Sequence, residues 1–362
     1  MPPAPDAAPA PGTAPAAAGP ARAGGDVTVA AVVVTWNRLD LLREALPAVL
    51  GQTRPPDRVI VVDNASTDGT PAAVRADFPG VDLVSLPKNT GGAGGFAYGL
   101  ALAQAAGAGL AWLMDDDTVP EPGALGALLE ARTAYSGPDP ALVASKVVWT
   151  DGRAHPMNTP RVKPLASSAE RAAAAAAGCV PIRSASFVSV LADLGAAQRS
   201  GLPQADYFLW NDDFEFTARL LRRAPGLLCP ASTVVHKTKA FGATDADPGA
   251  RFFYEVRNKV WTLRSAAPLA AHERVLYGGA TLRRWARTFA RSADRGTLAR
   301  GLLRGLAAGA RSGPRPTTEV LAGLGVTMPP DPALLAAAGS PGPPGPPVPP
   351  EDPAAAPDAN AS

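Results

Sequence analysis

The sequence predicts a doubly wound α/β sheet. Strand-like and helix-like segments alternate in the order β-α-β-α, the opening strand is an unbroken apolar run, and polar residues gather at strand ends. "VTVAAVVVT" (27–35) is β-branched without alternation, as a parallel strand covered on both faces requires. "LDLLREALPAVLGQ" follows with Leu41, Leu42, Ala45, Leu46 and Val49 at helical spacing, and Pro47 predicts an early break or a kink. "DRVIVVDNAS" gives a second buried strand ending at Asp63, "TPAAVRADF" a short helix with Pro71 in its first turn, and "VDLVSL" a weaker third strand. "GGAGGFAYGLALAQA" reads as a glycine loop that turns into a helix, and "AGLAWLM" as a fourth strand running into Asp115, Asp116 and Asp117. Ligands of such sheets bind outside the carboxyl ends of the strands. Thr35, Asp63 and the Asp115 cluster should therefore converge on one crevice.

Farther on, strand-like "ALVASKVVW" precedes a polar, alanine-rich stretch to which the pattern assigns no element. "PIRSASFVSVLA" reads as one strand, "DYFLWNDDFEFTARLLRRA" as a helix, and "GLLCPASTVVHKT" as a strand leading to His236. "RFFYEVRNKVWTLRS" and the arginine-rich segment after it read as helices. The 40 prolines and 36 glycines are unevenly spread, and the alanine- and proline-rich stretches at the two ends cannot build a core, so both ends are expected to be disordered. The expected organisation is a tail (1–26), an α/β domain (27–265), a basic helical region (266–334) and a proline-rich tail (335–362).

A formal net charge of +2 gives no reason to expect a nucleic-acid partner. Basic charge is local instead: residues 274–311 hold nine arginines and one acid, Asp294. Cys179 and Cys229 have no metal-type spacing and suggest no disulfide framework, which fits a reducing cytoplasm. The N-terminus does not read as a signal peptide, and no apolar stretch reaches the ~18 residues that span a bilayer. The protein is expected to be soluble or to rest on a membrane surface.

Three consecutive aspartates after a buried-type strand demand a positive counterpart, either a protein cation or a metal. Asp115 and Asp117, one residue apart in a short loop, can grip a hard divalent ion such as Mn2+ or Mg2+ through oxygen. The alternative is an Asp-rich turn with one aspartate capping a helix at Glu121. In "WNDDFEFTARLL", Trp210, Phe214, Thr217 and Leu221 share one helical face, while Asp212, Glu215 and Arg219 point away and Glu215–Arg219 makes an ordinary i,i+4 pair. Asp213 falls on the border, where partial desolvation raises its pKa and makes it a better proton acceptor. Alternatively, Asn211 caps the helix and the two acids complement its dipole. "NTGGAGGF" is neither a dinucleotide fingerprint nor a P-loop. Its Asn89, Gly91 and Gly92 either approach phosphate or sugar, or form a tight turn. Trp210 either stacks on a sugar or fills the core, and His236 is either a structural hydrogen-bonder or a ligand. Arg257 and Lys259 either neutralise a diphosphate or line a solvated face. His155 and His272 have no such context. Leu282, Trp285 and Phe289, then Leu298, Leu302 and Leu306, alternate with arginines, so these helices either lie on an anionic leaflet or pack on the rest of the protein.

"VVVTWNRLDLLREAL", "VIVVDNASTDGT", "NTGGAGGFAYGL" and "WLMDDDTVPEPGAL" resemble the ordered signatures of family 2 glycosyltransferases with the GT-A fold, over about residues 27–264. The combination of "GGAGGF", "MDDD" and "WNDDFE" is similar to the galactofuranosyltransferases of actinobacterial cell-wall galactan synthesis, above all the initiating one. The resemblance implies metal-dependent, inverting transfer of galactofuranose from UDP-galactofuranose to a polyprenyl-diphosphate-linked rhamnosyl-GlcNAc acceptor, peripherally on the cytoplasmic face of the plasma membrane. It implies that Thr35 and Asp63 hold the base, with Asn37, Asn64 and Asp68 close by. Asp115 and Asp117 correspond to the metal-binding DxD pair, completed by His236. Asp116, Trp210 and Asp212 go with the donor side, as do Asn89, Gly91 and Gly92, and Asp213 is the base. A rhamnosyltransferase using dTDP-rhamnose shares most of these motifs. A non-catalytic nucleotide-sugar-binding scaffold would keep nucleotide affinity without turnover. A nucleotidyltransferase would need a glycine-rich, basic loop where "TWNRLD" stands.

Overall fold

The chain builds its sheet outward from β1 (Val29–Thr35), whose seven residues are all buried. The computed structural model describes residues 27–238, 241 and 247–330, so both expected tails lie outside the described residues. Side chains of β1 alternate between two apolar clusters, one on each face of the sheet. Val32 and Val34 meet Phe96 and Leu100 on one face, and Ala31 and Val33 meet Leu42, Leu46 and Leu125 on the other. Burial on both faces is why this strand lacks polar alternation.

β2 (Arg58–Asp63) and β3 (Asp82–Ser85) extend the sheet in parallel on one side of β1, and β4 (Leu110–Asp115) does so on the other. The crossovers are α1 (Leu39–Leu50), α2 (Thr70–Asp77) and α3 (Gly91–Ala105). Register aligns Thr35 with Asp63 and Val34 with Asp115, so the ends of β1, β2 and β4 finish level. Beyond β4 the sheet is mixed. β9 (Val190–Asp193) runs antiparallel between β4 and β6 (Leu142–Val148), and β10 (Gly226–His236) runs parallel to β6. β8 (Val180–Ser184) pairs with β10, β7 (Arg161–Val162) pairs with β8, and β5 (Thr118–Pro120) pairs with the far end of β10. The order is β3-β2-β1-β4-β9-β6-β10-β8-β7, with β5 on β10. The remaining helices are α4 (Ala124–Ala134), α5 (Ser168–Ala176), α6 (Leu194–Ser200), α7 (Asp212–Leu220), α8 (Phe252–Arg264), α9 (Ala271–Arg291), α10 (Arg295–Arg311) and α11 (Thr317–Gly323).

Several local expectations differ from what forms. α1 runs through Pro47 to Leu50, because Leu42, Ala45, Leu46 and Val49 are buried while Pro47 and Arg43 sit on the exposed side, where a lost backbone bond is replaced by water. α3 starts at Gly91 itself, without a preceding glycine loop. Its Gly95 and Gly99 press on β1: a Cβ at either would stand 2.5 or 2.3 Å from Val34 or Val32. "PIRSASFVSVLA" is two strands in different parts of the sheet, with Phe187 of the link packed against Phe96 at 4.6 Å. The helix predicted from 206 begins only at Asp212. The stretch left without an element holds β7 and α5.

α10 packs on α8 through Gly301, Gly305 and Gly309, four residues apart on one face. Trp285 and Phe289 of α9 meet Phe252 of α8 at 6.0 and 5.8 Å, edge to face. Inward packing of Leu298 and Trp285 leaves Val275, Leu276, Leu282 and Leu303 exposed among arginines. Among the described residues no helix is long and apolar enough to cross a membrane. A Cβ on Gly305 would stand 2.7 Å from the Val256 Cβ, whereas one on Gly279 meets open space. Gly305→Leu is therefore expected to cost roughly 1–3 kcal/mol in urea denaturation. Gly279→Ala should be neutral or stabilise by up to about 1 kcal/mol. Equal effects at the two positions would contradict the close glycine packing.

Candidate active site

β4 delivers its aspartates from the core: Leu110, Ala111, Trp112, Leu113 and Met114 are buried, and Asp115 is the first residue to emerge. Asp116 turns back toward β1. Its Oδ2 accepts from Thr35 Oγ1 at 2.8 Å and from the Trp36 amide at 3.3 Å, and its Oδ1 accepts from Arg38 Nη1 at 3.2 Å. The same Arg38 nitrogen donates to Asp117 Oδ2 at 2.7 Å. Arg38 is thus one positive counterpart that the aspartates require, a role the sequence pattern did not assign although Arg38 stands within "TWNRLD". None of the three caps a helix, since α4 starts after Gly123 without a side-chain cap. Burial, reinforced by the charge on Asp117, holds the Asp115 carboxyl up at about 7. Burial also raises Asp116 to about 6, against the pull of Arg38.

His236 arrives through β5, a three-residue strand hidden in the sequence. β5 pairs with β10 so that His236 lies opposite Thr118, next to Asp117. His236 Nε2 lies 3.0 Å from Asp117 Oδ1, yet that oxygen is buried without a hydrogen-bond partner, so the ring approaches it outside hydrogen-bond geometry. The other ring nitrogen is fixed. Asn158 Nδ2 donates to Ser186 Oγ at 3.1 Å, which leaves Asn158 Oδ1 to accept from His236 Nδ1 at 2.9 Å. With Nδ1 carrying the proton, the neutral ring turns a lone pair on Nε2 toward Asp117. Two acceptors then face each other and need either a proton or a cation between them. Burial works against a charged His236, but the adjacent Asp117 carboxylate, with the charge of Asp115 behind it, prevails and raises its pKa. Ligand atoms of Asp115, Asp117 and His236 all lie within 4.8 Å of one another. The donor set, two carboxylates and an imidazole with an orphaned oxygen, fits a divalent ion. His155, given no role from sequence, lies with its ring 5.0 Å from that of His236 and donates to or accepts from Thr238 at 3.0 Å.

The residues expected around the base build the loops that bound the crevice. Asp63 is buried and accepts from the Ser66 amide at 3.2 and 3.3 Å. Asn37, at φ 52°, accepts from the Thr67 amide at 2.7 Å, tying the loop after β1 to the loop after β2. Asp68 makes a second tie, accepting from Leu39 N at 3.2 Å and from Thr70 Oγ1 at 2.6 Å. Asn64 clamps the start of α3, accepting from Thr90 N and Oγ1 at 3.1 and 2.8 Å and donating to the Gly91 carbonyl at 3.2 Å. Asn89 accepts from the Gly91 amide at 2.7 Å. Gly91, at φ 70°, allows a close approach, because a Cβ there would stand 1.9 Å from the Phe208 carbonyl oxygen. Gly92 has open space where a Cβ would stand.

That contact with Phe208 supports the bend that presents Asp212 and Asp213. Phe208, Trp210 and Asn211 all have left-handed φ, at 63°, 66° and 65°, a strain that persists only where surroundings enforce it. Asn258 of α8 does so, with Nδ2 2.9, 3.0 and 2.9 Å from the carbonyls of Tyr207, Leu209 and Trp210. Asn211 does not cap α7 but donates to Glu255 at 2.8 Å. Trp210 is half-buried, with Arg251 5.2 Å above its ring. Asp212 is buried, and desolvation, then the charges of Asp213 and Asp115, push its pKa well up. Asp213 is half-buried and also raised by desolvation, moderated by the Phe214 amide and by Lys259 and Arg161. The two acids thus feel different charges, Asp212 that of Asp115 and Asp213 those of two cations. Glu215–Arg219 is not an exposed pair but is buried, at 2.7 Å, with Arg219 also donating to the carbonyls of Gly201 and Leu202. Arg257 donates to the carbonyls of Asp206 and Tyr207, so it braces the same bend.

Residues 30–179 match the family described as Glycosyl transferase family 2. Galactofuranosyltransferase GlfT1 of Mycobacterium tuberculosis H37Rv is 31% identical over 269 residues, spanning 69% of this chain and 88% of that protein. The same-named protein of Mycolicibacterium smegmatis is 31% identical over 212 residues, spanning 58% of this chain and 70% of that one. Among solved structures, residues 1–349 of Staphylococcus aureus TarS in complex with UDP-GlcNAc superpose with a TM-score of 0.56 at 16% identity, covering 78% of this chain and 81% of that one, which is a likeness of fold. A mixed sheet with flanking helices, acids at the strand ends and this kinship agree: the chain is a glycosyltransferase of family 2, with a GT-A-like fold, related to the mycobacterial galactofuranosyltransferases.

Proposed function

We propose that the protein transfers galactofuranose from UDP-galactofuranose, with inversion, to a polyprenyl-diphosphate-linked rhamnosyl-GlcNAc acceptor. Kinship with GlfT1 supports the sugar. The observation that carries the chemistry is the difference between the two acids that open α7: Asp212 is buried and feels the charge of Asp115, whereas Asp213 is half-buried and feels the charges of Lys259 and Arg161. Asp115, Asp117 and His236 would hold Mn2+ or Mg2+, which when bound neutralises the diphosphate that leaves with the nucleotide. Thr35 and Asp63, at the level ends of β1 and β2, border the base, and Asn37 and Asp68 keep their loops together. Gly92 leaves backbone accessible beside the donor, and Trp210 offers a ring to a sugar. Asp213 takes the proton from the acceptor hydroxyl as that oxygen attacks the anomeric carbon. One base on one face inverts configuration in a single displacement. Its raised pKa makes it a stronger base than an ordinary carboxylate, and being half-buried keeps it reachable by the acceptor, unlike Asp212.

We place the protein on the cytoplasmic face of the plasma membrane, with the α/β part over 27–265 catalytic and the basic helices over 266–334 in contact with lipid. Val275, Leu276 and Leu282 are 75%, 70% and 64% exposed on a helix rich in arginine, the composition of an interfacial helix. Co-sedimentation with vesicles should rise with anionic lipid and fall with salt. Equal recovery with neutral vesicles would remove the electrostatic part of this reading.

The reaction itself is tested by incubation with UDP-galactofuranose and a synthetic rhamnosyl-GlcNAc-diphosphate lipid, followed by mass spectrometry. Asp213→Asn should reduce kcat by about a hundred- to ten-thousand-fold, while UDP affinity with manganese stays. The base must be ionised, so kcat/KM should fall as pH drops through the Asp213 pKa, with a limb above the ordinary carboxylate range. Turnover preserved in Asp213→Asn would take the role from this residue. Transfer from dTDP-rhamnose instead would replace the donor assignment.

A further inference from the structure

Lys259 does not line a solvated face. It is 6% exposed, and its Nζ lies 4.6 Å from the centroid of the Phe214 ring. Arg161, from the short strand β7, holds its guanidinium 5.5 Å from the centroid of that same ring and 5.5 Å from that of Tyr277. Among the described residues neither the Lys259 nor the Arg161 side chain makes a hydrogen bond or an ion pair. Contact with a ring face attracts an ammonium but supplies none of the hydrogen-bond acceptors it can use. Two unpaired cations therefore gather on one aromatic side chain, that of the residue following Asp213, although they repel each other.

The nearby anions do not fill the gap. Glu255 is taken up by Arg284, Trp285 and Asn211. Asp213 spends one oxygen on the Phe214 amide at 2.6 Å. Burial lowers Lys259 to about 8, so its ammonium stays charged at neutral pH. Asp115, of the cluster that could hold a metal, bears on Asp212, whereas Lys259 and Arg161 bear on Asp213 and share the ring of the next residue, Phe214.

From this geometry we infer that Lys259 and Arg161 form an anion subsite beside Asp213 that takes the phosphoryl group of the acceptor, not that of the donor. The phosphoryl oxygens supply the missing acceptors, and the Phe214 ring sets the spacing of the two cations. Anchoring an acceptor by its phosphate there brings the sugar hydroxyl to Asp213. The identification of the anion with an acceptor rests on the proposed function; the anion site itself does not.

The test is calorimetric titration of the full chain with inorganic pyrophosphate in EDTA, with neither sugar donor nor metal, so that an error in the donor or in the reaction leaves the result readable. Wild-type protein should bind one pyrophosphate with an affinity that falls with salt. Lys259→Met and Arg161→Gln should each weaken it on the order of tenfold or more, and Lys259→Arg should retain most of it. Farnesyl diphosphate should compete for the same site. Absence of pyrophosphate binding by wild type, variants that bind like wild type, or failure of farnesyl diphosphate to compete would each overturn the inference. If Lys259→Met does not fold, Arg161→Gln decides, because Arg161 is exposed.

Discussion

Three adjacent carboxylates repel one another, and here they stand at the end of a strand whose preceding residues have no contact with water. The structure around them is arranged as compensation. Arg38 reaches in from the start of α1 to Asp116 and Asp117, Thr35 donates to Asp116, and His236 is carried up against Asp117 by the β5–β10 ladder. The compensation is incomplete: Asp115 stays near 7, and one oxygen of Asp117 has no hydrogen bond. A fold that sought only stability would place apolar side chains at these positions. The deficit is what a divalent ion would relieve.

The same logic holds on the opposite flank. The bend before α7 is strained at three residues and fastened by the Asn258 amide, with Arg257 bracing it beside. Its effect is to start α7 with two acids whose surroundings differ. Asp212 adds to the negative field around Asp115, while Asp213 meets the field of Lys259 and Arg161. Two carboxylates adjacent in sequence thus acquire separate environments, and a difference in environment is what separates a proton acceptor from a donor-site acid.

Residues that report on their own burial were legible from sequence. β1, β2 and β4 are continuous apolar runs, and polar residues at their ends could only lie at the sheet's edge, so Thr35, Asp63 and the aspartates were placed together. His236 stands at the end of a readable strand, but its place beside the aspartates was legible only through the family resemblance. The hidden parts depend on pairings between distant segments. β5 has three residues and no pattern of its own, and β9 is inserted between β4 and β6 from the far side of the chain. Arg38 carries no signal of its own, because Asp116 and Asp117 come within its reach only through the fold, across about eighty positions of sequence. Asn158 lay in a stretch with no periodicity. The Glu215–Arg219 pair carried the spacing of an exposed pair, and only the packing of α6 and α7 buries it. The glycines of "NTGGAGGFAYGL" are the most ambiguous: Gly95 and Gly99 serve close packing on β1, which sequence cannot distinguish from room for a ligand.

The most direct measurement is a crystal soaked in manganese and UDP, with the ion located by its anomalous signal. An ion bound directly to Asp117 and His236, at ~2.0–2.3 Å as hard cations require, with Arg38 released from Asp117, is the expected result. A manganese signal absent from this cluster while UDP is bound, with Arg38 still joined to Asp117, would contradict the account.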